Sequence, residues 1–199
     1  MPNQSNYFSD NQDPYRNPKT GVLKNIPNMK TQAELDKFEE LIFQSNSIEA
    51  GEYLKAVAKF GLDEWKRVHQ ICFSDIYDWA GKIRTIRISK DKTVFAYPEN
   101  IEKEAGKLFF PLNELLSDSK LTLEKTAELF AEINVLHPFR EGNGRTQRIL
   151  FQEILRRVGY LVDYNQTTQK EMIRAMIYGY NAQYAPTIKL FEKISEKAK

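Results

Sequence analysis

HPFREGNGRTQR, which runs from His137 to Arg148, is the stretch that decides the fold. It separates two segments of helical periodicity, and its turn consists of Gly142, Asn143 and Gly144. These residue types readily adopt positive φ, so a turn built from them can direct successive backbone N–H groups into one concavity. The helix that follows adds further N–H groups and partial positive charge at its first turn. The stretch therefore predicts an anion-binding loop of the kind that holds phosphate.

The side chains around this turn fit a site for a metal-bound polyphosphate. Arg145 and Arg148 lie three positions apart, so on a helix both project from nearly one face toward bound phosphates. Without an anion, each arginine there is unfavourable by about 0.3–1 kcal/mol. Glu141 belongs in such a site if Mg²⁺ bridges it to the phosphates. His137, with an ordinary pKa of about 6.5, suits a general base, and Phe139 is expected to anchor the loop in the core.

Each of these residues also has a simpler interpretation. His137 could be a loop histidine that caps a helix, and Glu141 could pair at the surface with Arg140 or Arg145. Their combination with the glycine turn favours the phosphate site. His69 lies on an apolar helical stripe and is expected to be a core-edge histidine with local hydrogen bonds. Two histidines and one cysteine do not favour a zinc site.

Two parts of the chain together resemble the Fic family. HPFREGNGRTQR meets every fixed position of the family signature, HxFx[D/E]GNGRxxR. The segment 73–84, FSDIYDWAGKIR, resembles the family's segment before its hairpin, and residues 88–96 resemble the hairpin, or flap, that docks the target. The resemblance covers roughly residues 20–195. It implies an all-α fold, a Fic-type helical bundle with a small β-hairpin flap over the active site.

The resemblance implies a protein adenylyltransferase, which transfers AMP from ATP to a Ser, Thr or Tyr hydroxyl of a target protein. His137 would deprotonate that hydroxyl, and Glu141 would hold Mg²⁺ against the α- and β-phosphates. The backbone N–H groups of Gly142, Asn143 and Gly144, with the Asn143 side chain, would stabilise the phosphate charge.

The resemblance also assigns the remaining site residues. Arg145 and Arg148 would hold the β- and γ-phosphates. Lys90, Phe95 and Ala96 of the flap would present the target segment by strand addition.

Two other functions stay open at this point. The same fold could use another nucleotide or phosphoryl donor: a Lys in place of Gly142 would resemble the phosphorylating Doc branch, so the Gly favours AMP transfer. The chain could also be a non-catalytic module that binds nucleotide, although His137, Glu141 and Arg148 are all present. Tyr178, Tyr180 and Tyr184 could frame an adenine by stacking or could simply pack at the solvent edge.

Outside the loop, the chain divides into an irregular N-terminal arm, residues 1–30, and a Fic domain, residues 31–199. The arm is rich in Asn, Pro, Gln, Asp and Ser. Thr31 and Thr168 each have a glutamate three positions later, the spacing of a capping box. Residues 83–97 contain two β-rich runs around the charged turn Lys90-Asp91-Lys92, which indicates a hairpin. Helices are predicted to start at Thr31, Asp63, Pro98, Thr122, Arg145, Thr168 and Pro186.

Composition excludes several classes of protein. Lys and Arg number 29 against 27 Asp and Glu, and this balance gives no reason to expect direct nucleic-acid binding. The single cysteine, Cys72, excludes an intramolecular disulfide and suits a reducing compartment. No apolar run approaches a membrane span, and the N-terminus lacks the pattern of a secretory signal. We therefore expect a cytoplasmic, toxin-like bacterial protein, or one delivered into a host cell as some family members are.

Partners and regulation follow only from the resemblance. Family members modify bacterial type II topoisomerases or small GTPases of a host cell, so either is a candidate target. Many are inhibited by a glutamate in the pattern [S/T]xxxE[G/N]. Residues 45–50 come close, with Glu49 at the glutamate position, but Ala50 departs from the pattern. Inhibition thus comes either from Glu49 or from a separate antitoxin-like protein.

Overall fold

The computed structural model describes residues 8–9, 13–90 and 92–198, and its described part is built mainly of helices. These residues form seven α-helices and five short strands. The all-α class with a small hairpin, as predicted, is confirmed. The helices are α1 (Gln32–Lys55), α2 (Leu62–Phe73), α3 (Ile101–Ser117), α4 (Leu123–Asn134), α5 (Asn143–Arg157), α6 (Gln169–Tyr180) and α7 (Ala185–Ile194). The strands are β1 (Phe8–Ser9), β2 (Ile88–Lys90), β3 (Thr93–Val94), β4 (Tyr160–Val162) and β5 (Ser195–Lys197).

Side-chain caps fix three of the helix starts that the sequence predicted. Thr31 and Thr168 each form a complete capping box with Glu34 and Glu171. Thr122 caps α4 by accepting a hydrogen bond from the Lys125 N–H. A cap of this kind satisfies backbone donors that have no partner inside the helix, which is why it marks the start so sharply.

The first helix is long and passes through a glycine near its end. It runs to Lys55, through Gly51, although a glycine inside a helix costs about 1 kcal/mol relative to alanine. Ala50 and Leu54 are completely buried, so the packing of the last turn offsets that cost. The second helix ends at Phe73, and the buried Ile76 lies in the turn that follows.

The centre of the molecule is α5, which packs against α1, α2 and α4. Trp65 of α2 donates a hydrogen bond to the Thr146 hydroxyl at 2.9 Å, and Gln147 donates to the Phe130 carbonyl of α4 at 2.6 Å. Cys72 is buried in this core, as expected, and burial raises the pKa of its thiol to about 12. These contacts fix the start of α5 and therefore the position of the 137–142 loop.

A three-stranded sheet forms where a two-stranded hairpin was predicted. β2 pairs with β3 as expected, and Asp91 of the turn lies outside the described residues. β1 adds an antiparallel strand to the other edge of β2, with Phe8 opposite Ser89 and Ser9 opposite Ile88. A second sheet pairs β4 with β5. β4 and β5 have three residues each, too few for the alternating pattern that predicts a strand. β5 also lies in the lysine-rich tail.

The described part of the predicted arm contacts the core. Residues 13–30 contain turns and one isolated bridge, between Arg16 and Leu23. Val22 and Leu23 are buried in the main hydrophobic cluster. Residues 1–7 and 10–12 lie outside the described part. Within the described ranges, none of the helices combines the length and apolarity that a membrane crossing needs.

Candidate active site

The loop before α5 turns on Gly142, which has a left-handed backbone conformation. Its φ is 79°, and it occupies the N-cap position of α5. A Cβ atom at this position would lie 2.5 Å from the Phe73 ring, closer than any side chain can approach. Conformation and space both require glycine here. The first N–H groups of a helix have no partner inside it, so the start of α5 after this turn is suited to bind an anion.

The Asn143 side chain holds the loop from inside. Its Oδ1 accepts from the Phe139 N–H at 2.8 Å, and its Nδ2 donates to the Phe139 carbonyl at 2.8 Å. Only 1% of Asn143 is exposed. Both polar atoms of the amide thus contact the loop backbone, whereas the sequence suggested that this side chain helps to stabilise phosphate charge. Phe139 is completely buried, as expected of the loop's anchor.

His137 is held in one tautomer and one orientation. Its φ is 40°, a strained value for a bulky residue, and its ring stacks on Phe95 with centroids 3.7 Å apart. Nδ1 donates to the Asn134 carbonyl at 2.8 Å, so the basic lone pair is on Nε2. Burial, assisted by the positive charges of Arg84 and Lys90, lowers the pKa of His137 to about 3. The imidazole is therefore neutral at physiological pH, which is the form that a general base requires.

Arg84 ties the loop to the hairpin, and sequence reasoning did not identify that role. It is 1% exposed, and its guanidinium donates to the His137 carbonyl at 2.8 Å, to the Ile86 carbonyl at 2.6 Å and to the Ala96 carbonyl. Its own N–H donates to the Pro138 carbonyl at 2.8 Å. The sequence offers no signal for this role, because a buried arginine and an exposed one look alike in a linear pattern.

The Arg145 side chain is directed toward α1 and forms a charge cluster with Glu39 and Glu141. Its Nη2 donates to the Glu39 carboxylate and lies 3.5 Å from Glu141 Oε1. The rings of Phe73 and Phe43 lie 4.9 and 5.3 Å from its guanidinium carbon. Burial raises the pKa of Glu39, against the opposing effect of the Arg145 charge. Sequence reasoning placed Arg145 on phosphate and did not single out Glu39.

Glu141 and Arg148 are the remaining residues that were expected to bind the metal and the phosphates. Glu141 is 6% exposed, and its Oε1 accepts from the Gly142 N–H at 3.0 Å. Arg148 lies 6.0 Å from the Tyr164 ring, and burial lowers the pKa of its guanidinium. Among the described residues no carboxylate forms an ion pair with Arg148; Glu49, the residue of the near-match motif, is exposed on α1.

His69 contacts the active-site loop at the Glu141 carbonyl. Gly81 N–H donates to its Nδ1 at 2.9 Å, so Nε2 carries the proton and donates to the Glu141 carbonyl at 2.9 Å. His69 is completely buried, and burial lowers its pKa to about 3. The expected core-edge histidine with local hydrogen bonds is not found: His69 lies inside the core, and its two partners are 12 and 72 positions away in the chain. The described residues contain no group of three or more His, Cys, Asp or Glu that could hold a metal.

A groove of about 350 Å³ borders the loop on the side of the hairpin. Its walls come from the base of the hairpin, the end of α4, one face of α3 and the turn between α6 and α7. Leu136, which precedes the catalytic candidate His137, lines it, and so do Tyr180 and Tyr184. Tyr184 also donates to Glu132 at 2.8 Å. Tyr178 is not among the lining residues and lies 5.9 Å from Arg174.

Comparison with known proteins gives one consistent answer. The model of the Fic/DOC family matches residues 59–155. "Probable protein adenylyltransferase y4lH" of Sinorhizobium fredii is 40% identical over 182 residues, which cover 88% of this chain and 92% of that protein. Protein adenylyltransferase VbhT of Bartonella schoenbuchensis is 36% identical over 87% of this chain, but the match spans only 37% of VbhT. The crystal structure of the effector BepC from Bartonella tribocorum, with bound AMPPNP, superimposes with a TM-score of 0.78 at 22% identity, over 94% of this chain and 98% of that one.

Proposed function

The chain belongs to the Fic/DOC family, and from that premise we propose that it is a protein adenylyltransferase, which transfers AMP from ATP to a Ser, Thr or Tyr hydroxyl of a target protein. One observation carries the proposal: His137, whose ring is fixed by the Asn134 carbonyl and by Phe95, lies in the same loop as the left-handed Gly142 turn that opens α5. A base and an anion site are thus adjacent, which is the arrangement that transfer of a phosphate-linked group to a hydroxyl requires.

The triphosphate would bind at the start of α5. The N–H groups after Gly142 offer hydrogen bonds and the positive end of the helix dipole. Gly144 adds no side chain to this surface, and a Cβ there would lie 3.6 Å from Arg148 Nη1. Arg148, with no acidic partner in the described part of the chain, would bind the β- and γ-phosphates.

His137 would act as the general base. Its Nε2 would take the proton from the target hydroxyl while that oxygen attacks the α-phosphorus of ATP. The bond from the α-phosphorus to the bridging oxygen breaks, and pyrophosphate leaves. The Asn134 carbonyl, the Phe95 ring and Arg84 hold the imidazole and its backbone, so the base needs little reorganisation when the target arrives.

Glu141 fits the role of a magnesium ligand. Its carboxylate is a hard oxygen donor beside the proposed phosphate site, and Mg²⁺ is commonly held by one or two carboxylates together with phosphate oxygens. When bound, the ion would neutralise charge on the α- and β-phosphates. One carboxylate suffices for a metal that arrives with the nucleotide, so this assignment does not need a larger cluster.

The groove beside Leu136 would accept the adenine. Its lining includes the apolar side chains of Ala96, Leu108, Val135 and Leu136, and a purine needs such a surface together with an aromatic face. Tyr180, 37% exposed at the rim, offers that face. The alternative is that the tyrosines only pack at the solvent edge. It fits Tyr178, which does not line the groove, better than Tyr180, which does.

The hairpin of residues 88–96 would dock the target. Phe95 stacks on His137, and the Ala96 N–H donates to the Val135 carbonyl at 2.9 Å, so these two residues fix the base of the flap next to the reacting centre. Lys90 lies at the end of β2, beside the turn. In the described sheet β1 covers one edge of β2, so an added target strand would pair with β3 or replace β1.

Regulation would come from a second protein. Glu49 is exposed on α1, and Arg148 has no carboxylate partner among the described residues, so the near-match at residues 45–50 does not supply the inhibitory ion pair in this conformation. A separate antitoxin-like chain would provide it. The candidate targets remain a type II topoisomerase or a small GTPase.

ATP that is labelled at one known phosphate distinguishes AMP transfer from phosphoryl transfer. The protein is incubated with Mg²⁺, cell lysate and ATP labelled either at the α- or at the γ-phosphate. Relative to lysate without the protein, we expect added labelling from the α-label alone, and its loss in His137→Ala. Added labelling from the γ-phosphate that also depends on His137 would establish phosphoryl transfer instead. Labelling that persists in His137→Ala would remove the proposed role of the histidine, and thermal melting of both proteins controls for folding.

A further inference from the structure

Arg145 is shared between two carboxylates that come from different parts of the fold. Glu39 lies on α1, 106 positions before Arg145, and forms the shorter of the two contacts. Glu141, four positions before Arg145, is at 3.5 Å. All three side chains are largely buried, with 9%, 8% and 14% of the Glu39, Glu141 and Arg145 side chains exposed. The cluster thus places two carboxyl groups beside one guanidinium in a region with little water.

Burial of these charges is hard to explain by stability alone. Removing ions from water costs several kcal/mol each, and buried ion pairs often contribute no more than a well-packed apolar group would. The surrounding residues nevertheless hold Glu39 firmly: the Tyr77 hydroxyl donates to its second oxygen, Oε2. The rings of Phe43 and Phe73 confine the guanidinium on the other side. These contacts keep the Arg145 guanidinium hydrogen-bonded to the Glu39 carboxylate.

Without Glu39, Arg145 would have one carboxylate left. Glu141 precedes the N-cap of α5, and its Oε1 already lies 3.5 Å from Arg145 Nη2. Arg145 would therefore shorten this contact and neutralise Glu141 more fully. A carboxylate neutralised in this way is a poorer ligand for a divalent cation.

We infer that Glu39 is a positioning residue that draws Arg145 to itself and limits its contact with Glu141 to 3.5 Å, so that the Glu141 carboxylate stays available to the cation bound with the nucleotide. The inference rests on the proposed function, since it deepens the role assigned to Glu141. It also gives Arg145 a role in the charge cluster rather than on the phosphates. Glu39 itself touches neither nucleotide nor target in this scheme.

The test compares Glu39→Gln with Glu40→Gln, a matched change at the next position of α1, where the side chain is exposed. Binding of Mn²⁺ is measured by electron paramagnetic resonance in the presence of ATP whose α–β bridge is a methylene group, so that no turnover occurs. We expect Glu39→Gln to weaken Mn²⁺ binding about 10-fold, in the range known for residues that orient metal ligands. Glu40→Gln should match the wild type. The Mg²⁺ concentration that gives half-maximal labelling should rise in parallel, with a smaller change at saturating Mg²⁺.

Tyr77→Phe is a second variant that keeps every charge. It removes only the hydrogen bond to Glu39, so it should weaken Mn²⁺ binding in the same direction by a smaller factor. This variant keeps the inference testable if Glu39→Gln does not fold.

Two results would overturn the inference. Unchanged Mn²⁺ affinity with a lowered melting temperature would make Glu39 a structural residue only. Tighter nucleotide binding or faster labelling in Glu39→Gln would mean that Glu39 restrains Arg145 from the phosphates. Failure of the wild-type protein to bind Mn²⁺ and nucleotide would instead refute the proposed function, and the inference with it.

Discussion

Asp13 and Arg140 form a buried ion pair that joins the N-terminal arm to the active-site loop. Asp13 Oδ2 accepts from Arg140 Nε at 2.9 Å and from Nη2 at 2.7 Å. Their side chains are only 6% and 1% exposed. Arg140 lies between the buried anchor Phe139 and Glu141, so a residue of the predicted arm fixes the part of the loop that carries the proposed metal ligand.

Asp13→Asn should therefore destabilise the protein strongly. The change replaces the carboxylate that accepts two hydrogen bonds from the buried guanidinium by a neutral amide, and loss of one partner of such a pair costs about 3–5 kcal/mol. Urea denaturation measures the decrease in the free energy of unfolding. Asp63→Asn is the control, because Asp63 pairs with Lys66 on the surface and its side chain is 87% exposed; the expected cost there is below about 1 kcal/mol. Equal losses in the two variants would contradict the role of Asp13.

Local signals in the sequence predicted the helix starts and the chemistry of the loop. The capping boxes at Thr31 and Thr168 act over three residues, and the left-handed turn at Gly142 depends on the residue type itself. Such features need no knowledge of the fold. They are therefore visible in a linear pattern, as were the periodicity of the helices and the charged turn of the hairpin.

The contacts that the sequence did not predict all span long separations. Asp13 pairs with Arg140 across 127 positions, Glu39 with Arg145 across 106, and Arg84 with His137 across 53. Each joins a charged side chain to a partner on another element and is buried, against the usual preference of charged residues for the surface. No local rule distinguishes these residues from their exposed neighbours, so only the assembled fold identifies them.

Acid should destabilise the protein through its two histidines. Burial lowers the pKa of His69 and of His137 to about 3, whereas each titrates near 6.5 when unfolded. The unfolded chain therefore binds more protons than the folded one between about pH 6.5 and 3. Stability present above pH 6.5 is lost as the pH falls, by about 1.4 kcal/mol per pH unit for each histidine. Urea denaturation at several pH values measures the slope, and His137→Gln should remove about half of the histidine contribution. An unchanged slope would refute the lowered pKa of His137.

Gly142→Ala should abolish labelling and lower stability. The new Cβ would lie 2.5 Å from the Phe73 ring, on a residue with φ of 79°, so the turn and the ring cannot both stay in place. We expect a loss of about 1–3 kcal/mol in the free energy of unfolding. Gly106→Ala is the matched control: it lies inside α3 with no atom within 4 Å of its Cβ position, and it should stabilise by about 0.5–1 kcal/mol. Activity retained in Gly142→Ala would show that the turn does not need its left-handed form.

Arg84→Lys should impair the reaction strongly, although the substitution keeps the positive charge. A lysine has one nitrogen, so it cannot donate at once to the carbonyls of His137, Ile86 and Ala96. Some of these acceptors would lose their partner, at a cost of about 1–3 kcal/mol each, and the His137 backbone, with φ of 40°, would lose the contact that holds it. We expect kcat for protein labelling to fall at least about 10-fold, with little change in the nucleotide KM. Arg87→Lys, at an exposed site over the Tyr97 ring, is the control and should retain normal activity. A normal kcat in Arg84→Lys would mean that the hairpin and the loop keep their relative positions without the guanidinium.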